Sequence, residues 1–178
     1  MTQIANAYAQ GLYALAGEET LQETILQQME ALREAFDREP GFYRLLSAPN
    51  ISKQEKIDVV DTSLRDKVHP YLLNFLKILT ERGYAAAFSK CCDAFRRQYN
   101  AEFGILPVQA VTAVPLNPGQ IEKLTEKMSA ITGKTVLLTN VADPACLGGV
   151  RLDYDGKRVD GTVKNRLNSI AAVLKNTV

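Results

Sequence analysis

The spacing of the apolar residues changes once along this chain of 178 residues, at Gly104, and this change constrains the fold more than any other feature. Before Gly104, apolar residues recur every three or four positions, which is the period of an amphipathic helix. After it, residues 105–114 are rich in β-branched and apolar side chains, as in a strand, and Pro115 closes the run. The sequence therefore predicts an α+β protein with two parts, residues 1–104 and residues 105–178, joined without a long linker.

The first part shows six helical segments with short connections, which favours an antiparallel six-helix bundle. Its first segment, residues 3–17, contains no charged residue, although a surface helix normally has a charged face opposite its apolar stripe. The fifth segment, residues 71–79, is apolar on nearly every side. Each of these helices has more apolar surface than one core face needs, so each is either central in the core or covered by another chain.

The second part predicts the order β-α-β-β-β-α. Asn117 and Pro118 have the chemistry of a helix start, and Asp155 with Gly156 favours a two-residue turn between two short strands. The last helix is predicted from apolar residues at helical spacing, namely Val163, Leu167, Ile170 and Leu174.

The charge balance argues against a nucleic-acid-binding protein, the alternative function that we keep open. The formal net charge is +1. Residues 1–104 hold 12 Lys and Arg against 14 Asp and Glu, a net charge of −2, and residues 105–178 hold 9 against 6, a net charge of +3. This asymmetry is too weak to form a basic face that binds phosphates nonspecifically.

The histidine and the cysteines do not form a recognisable catalytic or metal site. His69, the only histidine, precedes Pro70 and is expected to be a solvated turn residue. Cys91, Cys92 and Cys146 have no paired spacing, which favours a reducing compartment. Neighbouring residues on a helix point about 100° apart, so we expect Cys91 and Cys92 to be one core thiol and one surface thiol.

The glycine- and aspartate-rich stretch at residues 142–167 resembles a ligand loop only at first sight. Gly148 and Gly149 lead into a strand, whereas a phosphate-binding loop opens a helix, so they indicate a bulge or a close backbone approach. Asp160 and Thr162 have the chemistry of a helix cap. Basic residues nearby, including Arg158, form a solvated face or a contact for an acidic partner. We therefore expect no catalytic residue, cofactor or metal ion, and we favour an interaction protein.

Five sequence segments, in this order, resemble the delta subunit of bacterial F-type ATP synthase, the counterpart of the mitochondrial oligomycin-sensitivity-conferring protein. The segments are AYAQGLYALA at 7–16, NFLKILTERG at 74–83, VTAVPL at 111–116, DPACLGGV at 143–150 and DGTVKNRL at 160–167. The chain departs from the family pattern at Asn6 and Ala7, where an arginine is common, at Tyr84, where arginine often follows the glycine, and at Thr162, where serine is usual.

The resemblance implies a non-catalytic stator subunit, present in one copy per complex, that resists rotor torque during proton- or sodium-driven ATP synthesis. Residues 1–104 would bind the N-terminal helix of an alpha subunit of the catalytic head, and residues 105–178 would bind the C-terminal end of the b subunit in the peripheral stalk. The implied alpha-subunit contacts lie on the first and fifth helices, at Tyr8, Ala9, Leu12, Tyr13, Asn74, Leu76 and Leu79. The family motif, structural or facing the stalk, comprises Leu147, Gly148, Gly149, Val150, Asp160, Gly161, Arg166 and Leu167.

The sequence also sets an expectation for location. It shows no basic-then-apolar leader and no run of about 18 apolar residues, so we expect neither secretion nor a membrane span. The resemblance implies a peripheral position on the cytoplasmic face of the bacterial cell membrane, which is the inner membrane where two are present. Any attachment to the membrane would come through partner subunits.

Overall fold

The computed structural model describes residues 2–48, 50–163 and 165, and it confirms the α+β class. The chain divides into two compact units, residues 1–99 and residues 100–178. The described helices are α1 Thr2–Glu18, α2 Gln22–Arg38, α3 Pro40–Ser47, α4 Lys53–Leu64, α5 Pro70–Glu81, α6 Phe88–Glu102 and α7 Pro118–Thr132. The strands are β1 Ile105–Thr112, β2 Thr135–Ala142, β3 Val150–Tyr154 and β4 Lys157–Asp160.

The helix starts follow the capping chemistry of the sequence. Ser52 begins α4 with the expected capping box, in which the Glu55 N–H donates to the Ser52 hydroxyl at 3.2 Å and the Ser52 N–H donates to the Glu55 carboxylate at 2.9 Å. Asn117 makes the equivalent pair of bonds at the start of α7. His69 is half-buried rather than solvated, because its Nδ1 accepts from the Tyr71 N–H at 3.2 Å and caps α5.

The core of the first unit lies between α1 and the five helices that follow it. Small residues of α1, among them Ala5, Ala9 and Ala16, are fully buried there, so neighbouring helices approach closely. An aromatic cluster closes one region of this core, with the Phe36 ring stacked on Phe42 at 4.6 Å between ring centroids. The charge-free first helix is therefore a core helix along one of its faces.

The expectation of one surface thiol at Cys91 and Cys92 is wrong, because both side chains are buried. Both belong to the buried core cluster of the first unit, and the Cys92 sulphur lies 3.7 Å from the Met29 carbonyl oxygen on α2. Burial raises the pKa of Cys91 to about 11 and the pKa of Cys92 to about 12. Since the thiolate is the reactive form, these cysteines are inert core residues at neutral pH.

The sheet of the second unit has the strand order β2-β1-β3-β4. β1 and β2 pair in parallel with α7 between them in sequence, and β3 pairs antiparallel with both β1 and β4. Pro107 is tolerated inside β1 because β3 pairs only with residues 109–112 of that strand, so one side of Pro107 has no ladder to join. Of the predicted last helix, the structure describes only Val163 and Asn165 as helical, and its other predicted residues lie outside the described residues.

The turn after α1 holds a residue that is unusual at its position. Thr20 has a φ of +56°, a left-handed conformation that is a genuine outlier for a β-branched side chain. It ends α1 in a Schellman-type motif, in which the Leu21 N–H donates to the Ala16 carbonyl at 2.8 Å. Glycine is the usual residue at such a position because it lacks a Cβ.

Thr20→Gly is therefore expected to raise the free energy of unfolding of the first unit by about 1 kcal/mol, since relief of left-handed strain outweighs the added freedom of the unfolded chain. Urea unfolding followed by circular dichroism measures the change. Thr20→Ala keeps the strain and is the control. Equal stability of the glycine and alanine variants would contradict the assignment of strain.

Candidate functional site

An apolar groove runs between α1 and α5, with a volume of about 500 Å³. None of the residues that line it is charged. From α1 they are Ala7, Tyr8, Gly11, Leu12 and Leu15, and from α5 they are Tyr71, Asn74, Phe75 and Ile78. Their spacing of three and four residues shows that each helix contributes one continuous face.

Contacts at both ends of the groove fix the two helices side by side and antiparallel. Near the end of α1, the Tyr71 hydroxyl donates to the Glu19 carboxylate at 2.6 Å. Near the start of α1, the Tyr8 ring meets the Phe75 ring edge-on, with 6.5 Å between centroids. The walls of the groove are therefore ordered by side chains of the two helices themselves.

Two large apolar side chains remain accessible in this groove. Leu15 of α1 is 47% exposed and Ile78 of α5 is 43% exposed, although both line the same cavity. Covering a leucine or isoleucine side chain fully contributes roughly 1.5–3 kcal/mol. Because each side chain is already more than half covered, a partner with a matching apolar face would gain about half of that free energy from each.

The structure brings three of the seven implied alpha-subunit contacts to the groove, namely Tyr8, Leu12 and Asn74. Ala9, Leu76 and Leu79 are instead buried in the helical core. Tyr13 is half-buried and packs its ring edge-on against Phe95, with 5.0 Å between centroids.

Sequence reasoning did not select six residues of the groove: Ala7, Gly11, Leu15, Tyr71, Phe75 and Ile78. The signal that distinguishes them is a second apolar series at helical spacing on each helix, offset from the core series by about one residue. On α1, Leu15 belongs to this second series, whereas Ala16 belongs to the core. One residue is about 100° of helix, enough to move a side chain from the core to the groove.

In the family motif of the second unit, the backbone at residues 148–150 lies in close contact with the backbone at residues 161–163. Gly149 has a φ of +79°, and a Cβ built there would lie 2.6 Å from the Gly161 carbonyl oxygen. The Gly161 N–H donates to the Val150 carbonyl, and the Val163 N–H donates to the Gly148 carbonyl, both at 3.0 Å. The close backbone approach expected from the glycine pair is confirmed.

The predicted hairpin and helix cap are also confirmed. Asp155 and Gly156 both have positive φ, 47° and 71°, in a two-residue turn that pairs Tyr154 with Lys157. The Thr162 hydroxyl accepts from the Asn165 N–H at 3.2 Å and donates to the Asp160 carboxylate at 2.7 Å.

The acidic side chains of this motif are occupied by groups of the motif itself. Bonds from the Thr162 hydroxyl and N–H hold the pKa of Asp160 below its ordinary value. A hydrogen bond from Arg158 likewise holds the pKa of Asp153 below its ordinary value. Asp153 also forms an ion pair with Arg151 at 3.1 Å. Leu147 is exposed, while Arg166 and Leu167 lie outside the described residues. The described acidic side chains therefore stabilise the motif itself.

Comparison with known proteins gives this arrangement a context. The family model described as ATP synthase delta (OSCP) subunit matches residues 4–174. The chain belongs to the ATP synthase delta (OSCP) subunit family. ATP synthase subunit delta of Alkaliphilus oremlandii is 32% identical over 164 residues, which cover 92% of this chain and 91% of the relative. ATP synthase subunit delta of Lacticaseibacillus casei is 31% identical over 172 residues, with 96% and 94% covered.

A solved structure shares the fold of this delta subunit family member. A chain in the cryo-EM structure of the Toxoplasma gondii mitochondrial ATP synthase hexamer superposes with a TM-score of 0.75 at 22% identity, and the match covers 96% of both chains. Family membership makes this chain a non-catalytic stator subunit of the peripheral stalk in ATP synthesis, one that associates with other ATP synthase subunits. Family membership therefore replaces the alternative prediction of a nucleic-acid-binding protein.

Neither a membrane span nor a metal cluster was found in the part of the chain that the structure describes. No helix there is long and apolar enough to cross a bilayer. The same residues contain no group of three or more His, Cys, Asp or Glu side chains placed to hold a metal ion.

Proposed function

We propose that this family member links the catalytic head to the peripheral stalk through one interface on each of its two parts. The first part, residues 1–104, acts as an antiparallel six-helix bundle and binds the amphipathic N-terminal helix of one alpha subunit in the groove between α1 and α5. The second part, residues 105–178, binds the C-terminal end of the b subunit. One copy per complex would sit peripherally, on the cytoplasmic face of the bacterial inner membrane, attached through its partners.

The apolar groove is the observation that carries the first interface. It is continuous, uncharged and walled by two helices, which is the geometry that receives the apolar face of a third helix. The partner's apolar residues would alternate at three and four positions to follow Leu15 on one wall and Ile78 on the other. Slow dissociation suits a stator, and burial of such apolar anchors acts mainly on the dissociation rate.

Charged substitutions in the groove test the first interface. Leu15→Asp and Ile78→Asp each remove an apolar contact and place a carboxylate in an apolar cavity, so each is expected to weaken binding of a synthetic alpha-subunit N-terminal peptide about 100-fold. Isothermal titration calorimetry with the full chain measures the affinity.

Ala14→Asp is the matched control, because Ala14 is exposed on the same helix but does not line the groove. It should bind the peptide like the unsubstituted protein, and all three variants should keep the unsubstituted far-ultraviolet circular dichroism. Absence of binding to the unsubstituted chain would refute the groove as the alpha-subunit site. An equal loss in all three variants would refute it as well.

The surface of the second unit supports the second interface more generally. Exposed apolar side chains occur on β2 at Leu137 and Val141, and residues 105–178 carry a net charge of +3. An elongated partner with an acidic and partly apolar end would complement both properties. If the two interfaces are separate, a peptide from the C-terminal end of the b subunit should bind the full chain equally well with and without the alpha peptide. Competition between the two peptides would contradict this division.

A further inference from the structure

One end of the apolar groove is marked by a fixed carboxylate. Glu18 and Glu19 follow the charge-free part of α1, and the Glu19 Oε1 accepts from the Tyr71 hydroxyl at 2.6 Å. Tyr71 lines the groove, so its hydroxyl connects the groove wall to this carboxylate. A carboxylate has two oxygens, and within the described part of the chain Tyr71 is the only recorded side-chain partner of Glu19.

The backbone around Glu19 is ordered rather than frayed. The left-handed Thr20 turns the chain back immediately after Glu19, and the Leu21 N–H closes the turn on the Ala16 carbonyl at 2.8 Å. The Thr20 hydroxyl also donates to the Glu19 carbonyl at 2.7 Å. The carboxylate is therefore held in place before any partner arrives, which lowers the entropic cost of an ion pair with it.

At the opposite end of the groove, the charged residues in the described part of the chain do not sum to a negative charge. One helical turn beyond Ile78, the exposed residues Glu81 and Arg82 carry opposite charges that offset each other. Lys77 forms an ion pair with Asp61 on α4, so its charge is offset as well. Arg97 also donates to the Asn6 side chain at 3.2 Å near the start of α1, at this same end. Among the described residues, the groove is thus uncharged along its length, negative at the Glu19 end and not negative at the Ile78 end.

We infer that Glu19, positioned by Tyr71, selects the direction in which the partner helix lies, by pairing with a lysine or arginine at one end of that helix's apolar face. The inference rests on the proposed binding of the alpha-subunit helix in this groove. An apolar groove between antiparallel helices does not by itself distinguish the two directions of a bound helix. A single charge at one end does so, because only one direction brings the partner's cation to the carboxylate.

A charge-swap titration with the full chain tests this inference. The probe is the synthetic alpha-subunit N-terminal peptide, ~20 residues long and so about 30 Å of helix, together with versions in which each lysine or arginine is replaced in turn by glutamate. Glu19→Gln is expected to weaken binding of the unmodified peptide about threefold at low salt, the effect of one exposed ion pair. It should also reduce the dependence of affinity on salt between low and high ionic strength.

Three further variants test whether the effect is specific to the Glu19 carboxylate. Glu19→Lys should weaken the unmodified peptide further, and one peptide with a reversed charge near one end should regain the lost affinity. Tyr71→Phe keeps the ring in the groove and removes only the hydroxyl, so it should reduce the salt dependence while the apolar contribution persists. Glu81→Gln removes the same charge at the other end of the groove and should change neither quantity.

The outcomes separate the two proposals. If the unmodified peptide binds, and Leu15→Asp weakens its binding about 100-fold while Glu19→Gln leaves affinity and salt dependence unchanged, the groove assignment stands and the directional role of Glu19 is overturned. Equal effects of Glu19→Gln and Glu81→Gln also overturn it, because they reflect net charge alone. A peptide that does not bind the unsubstituted chain refutes the groove assignment and the inference with it.

Discussion

Gly149→Ala is expected to destabilise the second unit by about 2–5 kcal/mol, which is a large part of the stability of a small domain. Two costs add. The residue has a φ of +79°, and an L side chain in the left-handed region costs about 1–2 kcal/mol. Its Cβ would also lie 2.6 Å from the Gly161 carbonyl oxygen and 3.0 Å from the Thr162 Cα, and such overpacking costs about 1–3 kcal/mol. Because both neighbours are backbone, no side chain can rotate away to relieve the overlap.

Hydrogen exchange followed by mass spectrometry measures this effect unit by unit in the full chain. Gly149→Ala should speed exchange across β1, β3 and β4 and leave α1–α6 unchanged. Gly156→Ala is the matched control, since Gly156 also has a positive φ, +71°, but a Cβ there would meet no atom within 4 Å. The control should therefore lose about 1–2 kcal/mol, the backbone strain alone. Equal destabilisation by the two variants would contradict the role assigned to the close approach.

The glycine pair illustrates what the sequence could predict in the second unit. Asp155-Gly156 and the cap at Thr162 are local signals, decided by a few neighbouring residues, and both are confirmed. The predicted close approach at Gly148 and Gly149 is also confirmed. Its partner, the backbone at Gly161, is 12 positions further on, and sequence alone did not identify that contact. Features that depend on neighbouring residues could be predicted from the sequence. The pairing of segments distant in sequence could be seen only in the structure.

The groove shows the corresponding limit in the first unit. The absence of charged residues from positions 3–17 correctly predicted a helix with apolar surface on more than one face. It did not predict which residues of that helix face the core. Ala9 and Leu76 are buried, whereas Leu15 and Ile78 line the groove and remain exposed. On a helix without a polar face, the hydrophobic period cannot fix the rotation about the axis. Rotation is decided by the neighbouring helices that fill the core, and hence by contacts distant in sequence.

Phe95→Ala is expected to destabilise the first unit by about 3–5 kcal/mol, since the side chain is fully buried and its removal leaves a cavity. Phe95 also supports Tyr13, whose ring meets it edge-on. Phe95→Leu fills most of the cavity and should cost less. Urea unfolding of the full chain, read by circular dichroism together with hydrogen exchange in α1 and α6, gives the order. A loss from Phe95→Ala no larger than that from Phe95→Leu would contradict a tightly packed site.

The same variant separates a structural from a recognition role for Tyr13. If Tyr13 acts through the core, Phe95→Ala should weaken peptide binding only in proportion to the unfolding of α1, and binding should recover under conditions that stabilise the fold. Leu15→Asp should behave in the opposite way, with peptide binding lost while the free energy of unfolding stays near the unsubstituted value, because Leu15 is half-exposed in the groove. Strong loss of binding from Tyr13→Ala in a protein of unchanged stability would instead place Tyr13 at the partner surface. The two substitutions on α1 thus distinguish the face that builds the helical core from the face that receives a partner.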